Sequence, residues 1–132
     1  MAVLDTKAGG TRNSKATASA ITALTAKFGN RLVTSRAVRE QHANTTTWIA
    51  NEPPDAVVFP QSTADVQELV CICAAHRVPV IAFGAGTSLE GHVNAPFGGI
   101  CIDFRDMKKS SWGQKRGRSD YSARSPRAFL TC

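Results

Sequence analysis

Apolar residues first recur at helical spacing beyond residue 15 of this chain. Ile21, Leu24 and Phe28 fall three and four apart with Ala among them, and Gly29-Asn30 follows as a stop. A short amphipathic helix is therefore expected over 16–28. The preceding residues, 1–15, are small and polar without an apolar period and read as a disordered lead-in. Residues 38–52 hold a second short helix and a Thr-rich stretch with Trp48, and Pro53-Pro54 then forbids helix and forces an extended start. Asp55-Ala56-Val57-Val58-Phe59-Pro60 is a β-branched and aromatic run between prolines, the composition of a strand buried on both faces.

Ser62 with Asp65 three residues on makes a capping-box-like start, and Val66, Leu69, Val70 and Cys73 follow at i, i+3, i+4 and i+7. A helix over about 63–76, closed by Arg77, is the expectation. Val78-Pro79-Val80-Ile81-Ala82-Phe83 reads as a second strand, reached by a crossover long enough for a parallel βαβ unit. Ile100-Cys101-Ile102-Asp103-Phe104 reads as a third. Strand, helix, strand, Gly-rich loop and strand together give an α/β domain of the nucleotide-binding kind, a small parallel sheet with flanking helices.

Length agrees with a single domain. The chain has 132 residues, 42% hydrophobic and 20% charged, enough for one modest core. Four cysteines are too sparse for a disulfide scaffold, and no apolar run approaches the roughly 18 residues of a membrane span. The start also lacks the apolar core of a signal peptide, so a reducing, intracellular setting is expected. Residues 7–39 carry seven basic side chains and no acid, a faint likeness to a transit peptide, although most of this stretch falls in the first helix and the segment leading away from it.

The net charge of +6 changes meaning once it is located. Residues 1–106 carry nine Lys/Arg and nine Asp/Glu, whereas residues 107–132 carry seven basic residues against Asp120 alone. The excess therefore belongs to a basic Ser/Arg-rich tail, 108–132, which has no period of 2 or 3.6. One reading of the chain is accordingly a small non-catalytic α/β module whose tail binds nucleic acid or another polyanion. The tail has no recognition motif, so specific nucleic-acid binding is not expected.

Candidate chemistry lies in Gly84-Ala85-Gly86-Thr87-Ser88-Leu89-Glu90-Gly91-His92, which begins at the carboxyl end of a predicted strand, where open α/β sheets place ligands. A Rossmann fingerprint would need glycine at 89, where Leu89 stands, and no Gly-Lys-Ser/Thr occurs anywhere, which excludes a Walker loop. No Lys or Arg lies between Val78 and Gly99. A phosphate here would be held by backbone N–H groups in a nest-like turn and by the Thr87 and Ser88 hydroxyls, with Gly84 and Gly86 allowing close approach. Glu90 would repel it unless turned away or paired. The other reading of the loop is a plain strand-to-strand connection.

The ordered set formed by residues 54–60, 62–70, Val78-Pro79-Val80-Ile81, Phe83 through His92, and Ile102-Asp103 before Met107 closely resembles the start of the FAD-binding domain of FAD-linked oxidases. This is the vanillyl-alcohol-oxidase-like, PCMH-type family. The loop is most similar to the D-lactate dehydrogenase (cytochrome) branch, with glycolate oxidase and D-2-hydroxyglutarate dehydrogenase as relatives. The resemblance covers about residues 20–107, within an expected domain of 16–107. It implies that Phe83, Gly84, Ala85, Gly86, Thr87 and Ser88 wrap the FAD pyrophosphate, with Gly91 and His92 close to the cofactor. His92 is otherwise a satisfied loop histidine. Some relatives attach flavin through a histidine in this turn; the matching position here is Thr87, which implies non-covalent FAD.

The same resemblance implies oxidation of a D-2-hydroxy acid, of the D-lactate or glycolate type, to the 2-oxo acid, with electrons passing to a cytochrome or quinone. The expected place is cytoplasmic or membrane-peripheral, and mitochondrial in a eukaryote. The residues for that chemistry lie in later segments of the family, so the chain reads as an N-terminal part, inactive alone, with no catalytic residue of its own. The likeness ends at Met107 or Lys108, where the charge jumps. A frameshifted or truncated reading frame would explain both, making 110–132 out-of-frame text; a genuine basic tail is the alternative.

The remaining candidates have bland readings. Cys71 and Cys73 lie about 200° apart on a helix and can share neither a metal nor a disulfide there, and Cys73 reads as core. His42, His76 and His92 lack ligand spacing, so no metal site is expected. Asp65 and Glu68 suit the first turns of a helix, and Trp48 and Trp112 lack the interleaved basic pattern of a stacking surface.

Overall fold

The computed structural model describes residues 12–44 and 47–107. Most of the expected lead-in and all of the basic stretch 108–132 lie outside the described residues. The first helix, α1 (Ser14–Phe28), starts two residues earlier than its apolar spacing suggests, because Asn13 caps it by accepting from the Ala16 N–H at 3.2 Å. Its buried stripe is Thr17, Ala20, Leu24 and Phe28, with Ile21 half-buried at the margin. After a 3-10 turn at Gly29–Arg31, a two-residue strand β1 (Leu32–Val33) forms, followed by α2 (Arg36–Gln41).

Strand β2 (Ala56–Val58) is buried at all three positions, as its uninterrupted apolar run requires. Helix α3 (Thr63–Ala75) begins where Ser62 Oγ accepts from the Asp65 N–H, and it buries Val66, Leu69 and Cys73. Asp65 in turn accepts from the Gln61 N–H at 2.9 Å and from Arg31 at 2.6 Å, and these partners hold its carboxyl below the usual carboxylate range. Together with Lys27–Glu68 at 2.8 Å, the Arg31 pair ties the end of α1 to α3. Strands β3 (Val80–Phe83) and β4 (Ile100–Asp103) complete the sheet.

Sheet order is β1-β2-β4-β3. The three longer strands are parallel, as expected, while β1 joins β2 antiparallel, an addition that the sequence did not announce. The β2–α3–β3 crossover therefore spans β4, which inserts between the two strands. Alternation along the strands divides the core. Ala56, Val58, Ile100 and Ile102 pack with Ala20, Leu24 and Phe28 of α1 and Leu69 and Cys73 of α3. Val57, Cys101 and Asp103, also buried, alternate with them and so belong to the opposite face.

Helix α3 ends with Arg77 at φ 54°, its N–H bonded to Ala74 O at 3.0 Å and the Val78 N–H to Cys73 O at 2.9 Å. This is a Schellman-type finish in which an L side chain holds the position that glycine usually takes. Relief of left-handed strain, partly offset by the greater chain entropy of glycine, makes Arg77→Gly stabilising by roughly 0.5–1 kcal/mol. The urea midpoint should rise; a fall would show that the arginine side chain contributes more than its backbone costs.

Candidate functional site

Because β2, β4 and β3 are parallel, their carboxyl ends lie at one end of the sheet. Phe59 follows β2, Asp103 ends β4, and Phe83 ends β3 and opens the Gly-rich loop. All three side chains meet His42, the residue that closes α2. Its ring centroid lies 4.5 Å from that of Phe83, tilted by 51°, and 6.0 Å from Phe59, edge-on. Its Nε2 is 2.8 Å from Asp103 Oδ2 and its Nδ1 2.7 Å from the Val38 carbonyl oxygen. His42 is 1% exposed and Asp103 0%.

Arg105 completes this group. Its Nε and Nη2 donate to Asp103 Oδ2 at 2.7 and 2.6 Å, its backbone N–H donates to Oδ1 at 2.9 Å, and its guanidinium stands 5.3 Å from the Phe59 ring centroid. Burial alone would raise the Asp103 carboxyl, but the hydrogen bonds from Arg105 and His42 outweigh it and hold the group below the usual carboxylate range. Burial, aided by the Asp103 charge, pushes the Cys101 thiol up to about 12, and burial pushes Cys73 up to about 11. Both stay protonated at neutral pH and are poor nucleophiles.

Above this floor, the structure brings Phe83, Gly84, Ala85, Gly86, Thr87 and Ser88 together as one turn at the end of β3. Gly86 has φ +69°, and a Cβ there would come within 2.7 Å of Phe83 Cζ, so the turn lies directly on the Phe83 ring. Over Gly84 a Cβ would meet nothing within 4 Å, which leaves the backbone open to a ligand. Among the described residues, the N–H groups of 85–89 have no protein acceptor, and the first loop N–H to be paired is that of Glu90, to Ser88 Oγ at 3.3 Å. Thr87 is exposed and Ser88 half-buried. Gly91 is buried against Thr47 and Ile49, a little apart from the turn, and His92 and Glu90 are exposed.

Donor-rich backbone, an open approach over glycine and no Lys or Arg in the loop match a pyrophosphate held by N–H groups, so the residues present fit a dinucleotide cofactor. The spacing of residues along the chain identified this turn but missed its support. His42 and Asp103 are 61 residues apart, and the one local signal was Asp103 itself. A carboxylate ending a strand buried on both faces needs a partner.

A protein family described as FAD binding domain matches residues 54–118, running past Met107 or Lys108, where the sequence likeness was expected to stop. The chain is 48% identical over 73 residues to a Danio rerio protein named Probable D-lactate dehydrogenase, mitochondrial, covering 55% of this chain and 15% of that one. It is 46% identical over 56 residues to the D-lactate dehydrogenase [cytochrome], mitochondrial, of Arabidopsis thaliana, covering 42% and 10%. The glycolate oxidase protein GlcD of Bacillus subtilis is 38% identical over 56 residues, covering 42% and 12%. The chain thus spans 15% or less of the length of these curated relatives. Among solved structures, an alkyldihydroxyacetonephosphate synthase superimposes with TM-score 0.66 at 24% identity, over 75% of this chain and 22% of that one. A p-cresol methylhydroxylase gives 0.61 at 18% identity, over 73% and 20%. At such identities these two structures speak for the fold alone, and the fold they share with this chain is a mixed α/β one.

Proposed function

We propose that this chain carries part of an FAD-binding domain like that of the FAD-linked oxidases, with FAD as its cofactor, and that residues 83–88 hold the FAD pyrophosphate. The backbone N–H groups of 85–88 and the Thr87 hydroxyl donate to the phosphate oxygens, and Gly91 and His92 border the cofactor. The observation that carries this reading is the set of unpaired N–H groups on a turn resting on Phe83 and open at Gly84. Binding is non-covalent, since Thr87 offers no ring nitrogen for a flavin bond.

FAD, when bound, supplies a two-electron acceptor for substrate oxidation. The substrate we infer is a D-2-hydroxy acid of the D-lactate or glycolate type, which loses a hydride equivalent from its carbinol carbon and a proton from its hydroxyl to become the 2-oxo acid. A cytochrome or quinone then takes the electrons, and a mitochondrial place follows in a eukaryote. Support for substrate, acceptor and place comes from the names of the relatives above. This chain's own contribution is to bind and orient the phosphates. Among the described residues no helix is long and apolar enough to cross a membrane.

FAD added to the isotope-labelled chain is expected to shift the amide resonances of residues 84–88 first, with retention through gel filtration well below one equivalent. Gly84→Ala leaves the fold unchanged, since its methyl meets no protein atom, yet stands where a phosphate approaches. About tenfold or more loss of FAD affinity is expected. Shifts confined to other residues, or equal affinity in Gly84→Ala, would remove the pyrophosphate role from this turn.

A further inference from the structure

Both ring nitrogens of His42 face acceptors: the Val38 carbonyl oxygen at 2.7 Å and the Asp103 carboxylate at 2.8 Å. A carbonyl oxygen only accepts, so Nδ1 donates to Val38, and Nε2 faces the Asp103 carboxylate. The ring is thereby fixed at two opposite points. One bond runs to the backbone of α2 and the other to the end of β4. A buried ion pair is a weak source of stability compared with a packed apolar side chain of the same volume, so stability alone does not account for it. What the pair adds is direction. It sets the imidazole plane at 4.5 Å and 51° to Phe83, and Phe83 is the ring against which Gly86 is packed.

Contacts therefore run without a gap from Asp103 through His42 and Phe83 to the turn. Phe59, edge-on at 6.0 Å, and the Arg105 guanidinium, bonded to Asp103, enclose the same group from β2 and from the turn after β4. We propose that His42 and Asp103 form a positioning pair that holds Phe83, and through it residues 84–88, in the shape that receives phosphate. The inference rests on the pyrophosphate reading of that turn, but the ordering of the turn is measurable without any cofactor. Neither residue touches the ligand.

Two variants separate the components. His42→Phe keeps a planar ring beside Phe83 but makes neither hydrogen bond; His42→Gln keeps a donor for Asp103 without the ring. Relaxation order parameters at residues 84–88 are expected near about 0.85 in the unaltered chain, falling below about 0.6 in His42→Phe. His42→Gln should lie between, while the order parameters at Cys101 and Ile102 stay near about 0.85 in both. Order parameters equal in all three proteins would overturn the proposal; so would loss of order at Cys101 and Ile102 in step with the loop. Should His42→Phe not fold, the His42→Gln comparison decides alone. The two readings fail differently: FAD shifts absent from 84–88 in the unaltered chain sink the pyrophosphate role, and shifts present there with an unmoved turn in the variants sink the positioning role.

Discussion

Gly99→Ala is expected to destabilise the protein by about 4 kcal/mol or more, a large part of the roughly 5–15 kcal/mol that holds a domain of this size together. Gly99 has φ +117°, a conformation that L side chains rarely adopt, and a Cβ there would overlap the carbonyl oxygen of Pro79. Backbone strain of this kind costs about 1–3 kcal/mol before any overlap is counted. The overlap cannot be relieved locally. Gly99 N–H donates to Asp55 Oδ2 at 2.7 Å, its carbonyl accepts from the Asp55 N–H at 2.8 Å, and the next N–H, that of Ile100, donates to that same Pro79 oxygen at 2.9 Å. Moving the methyl away from Pro79 therefore breaks hydrogen bonds worth about 1 kcal/mol each and drags β4, the strand between β2 and β3, out of register. Urea denaturation followed by circular dichroism gives the size of the loss. A Gly99→Ala chain within about 1 kcal/mol of the unaltered one would mean that this turn relaxes far more freely than its hydrogen bonds suggest.

Local signals carried the elements that they physically determine. Ser62 before Asp65 and the apolar positions Val66, Leu69 and Cys73 marked α3, because capping and a helical stripe are properties of adjacent residues. The uninterrupted apolar runs at 56–58 and 100–102 marked strands covered on both faces. In α1 the helix was legible but its buried face was misjudged. Thr17 and Ala20 are buried while Ile21 lies at the margin, since small side chains let the helix approach the sheet closely. Strand β1 left no trace in the sequence, as two residues become a strand only through pairing with Val57 and Val58. Strand order was equally illegible: any parallel crossover satisfies the chain, and only packing places β4 between β2 and β3.

The candidate site divides along the same line. The turn at 84–88 was visible because its glycines, hydroxyls and want of basic residues are contiguous. The pair beneath it was not, since His42 and Asp103 stand 61 residues apart and no local spacing joins them. The want of ligand spacing around His42 carried no information about its partner.

Removing that partner should produce the second large effect. Asp103→Ala leaves an Nε2 of His42 and the Arg105 fork without their shared acceptor. Arg105 has 53% of its side chain exposed and can turn to water, but His42, 1% exposed, cannot. Breaking a buried pair on one side costs about 3–5 kcal/mol, so the chain should become marginal at 25 °C. Asp103→Asn, which keeps an acceptor oxygen, should lose less. The pH dependence follows from the direction of the Asp103 shift. Its carboxyl titrates lower in the folded than in the unfolded chain. Its contribution is therefore complete above the unfolded value near about 4 and disappears as pH falls through the folded one. Between about pH 4 and the acid limit, the unaltered chain should lose stability more steeply than Asp103→Ala, which has nothing to titrate at that position. Asp65, also shifted down, is present in both proteins and cancels in the comparison. Parallel stability curves for the two proteins over that range would mean that Asp103 is not the ionised centre of the group beneath the turn.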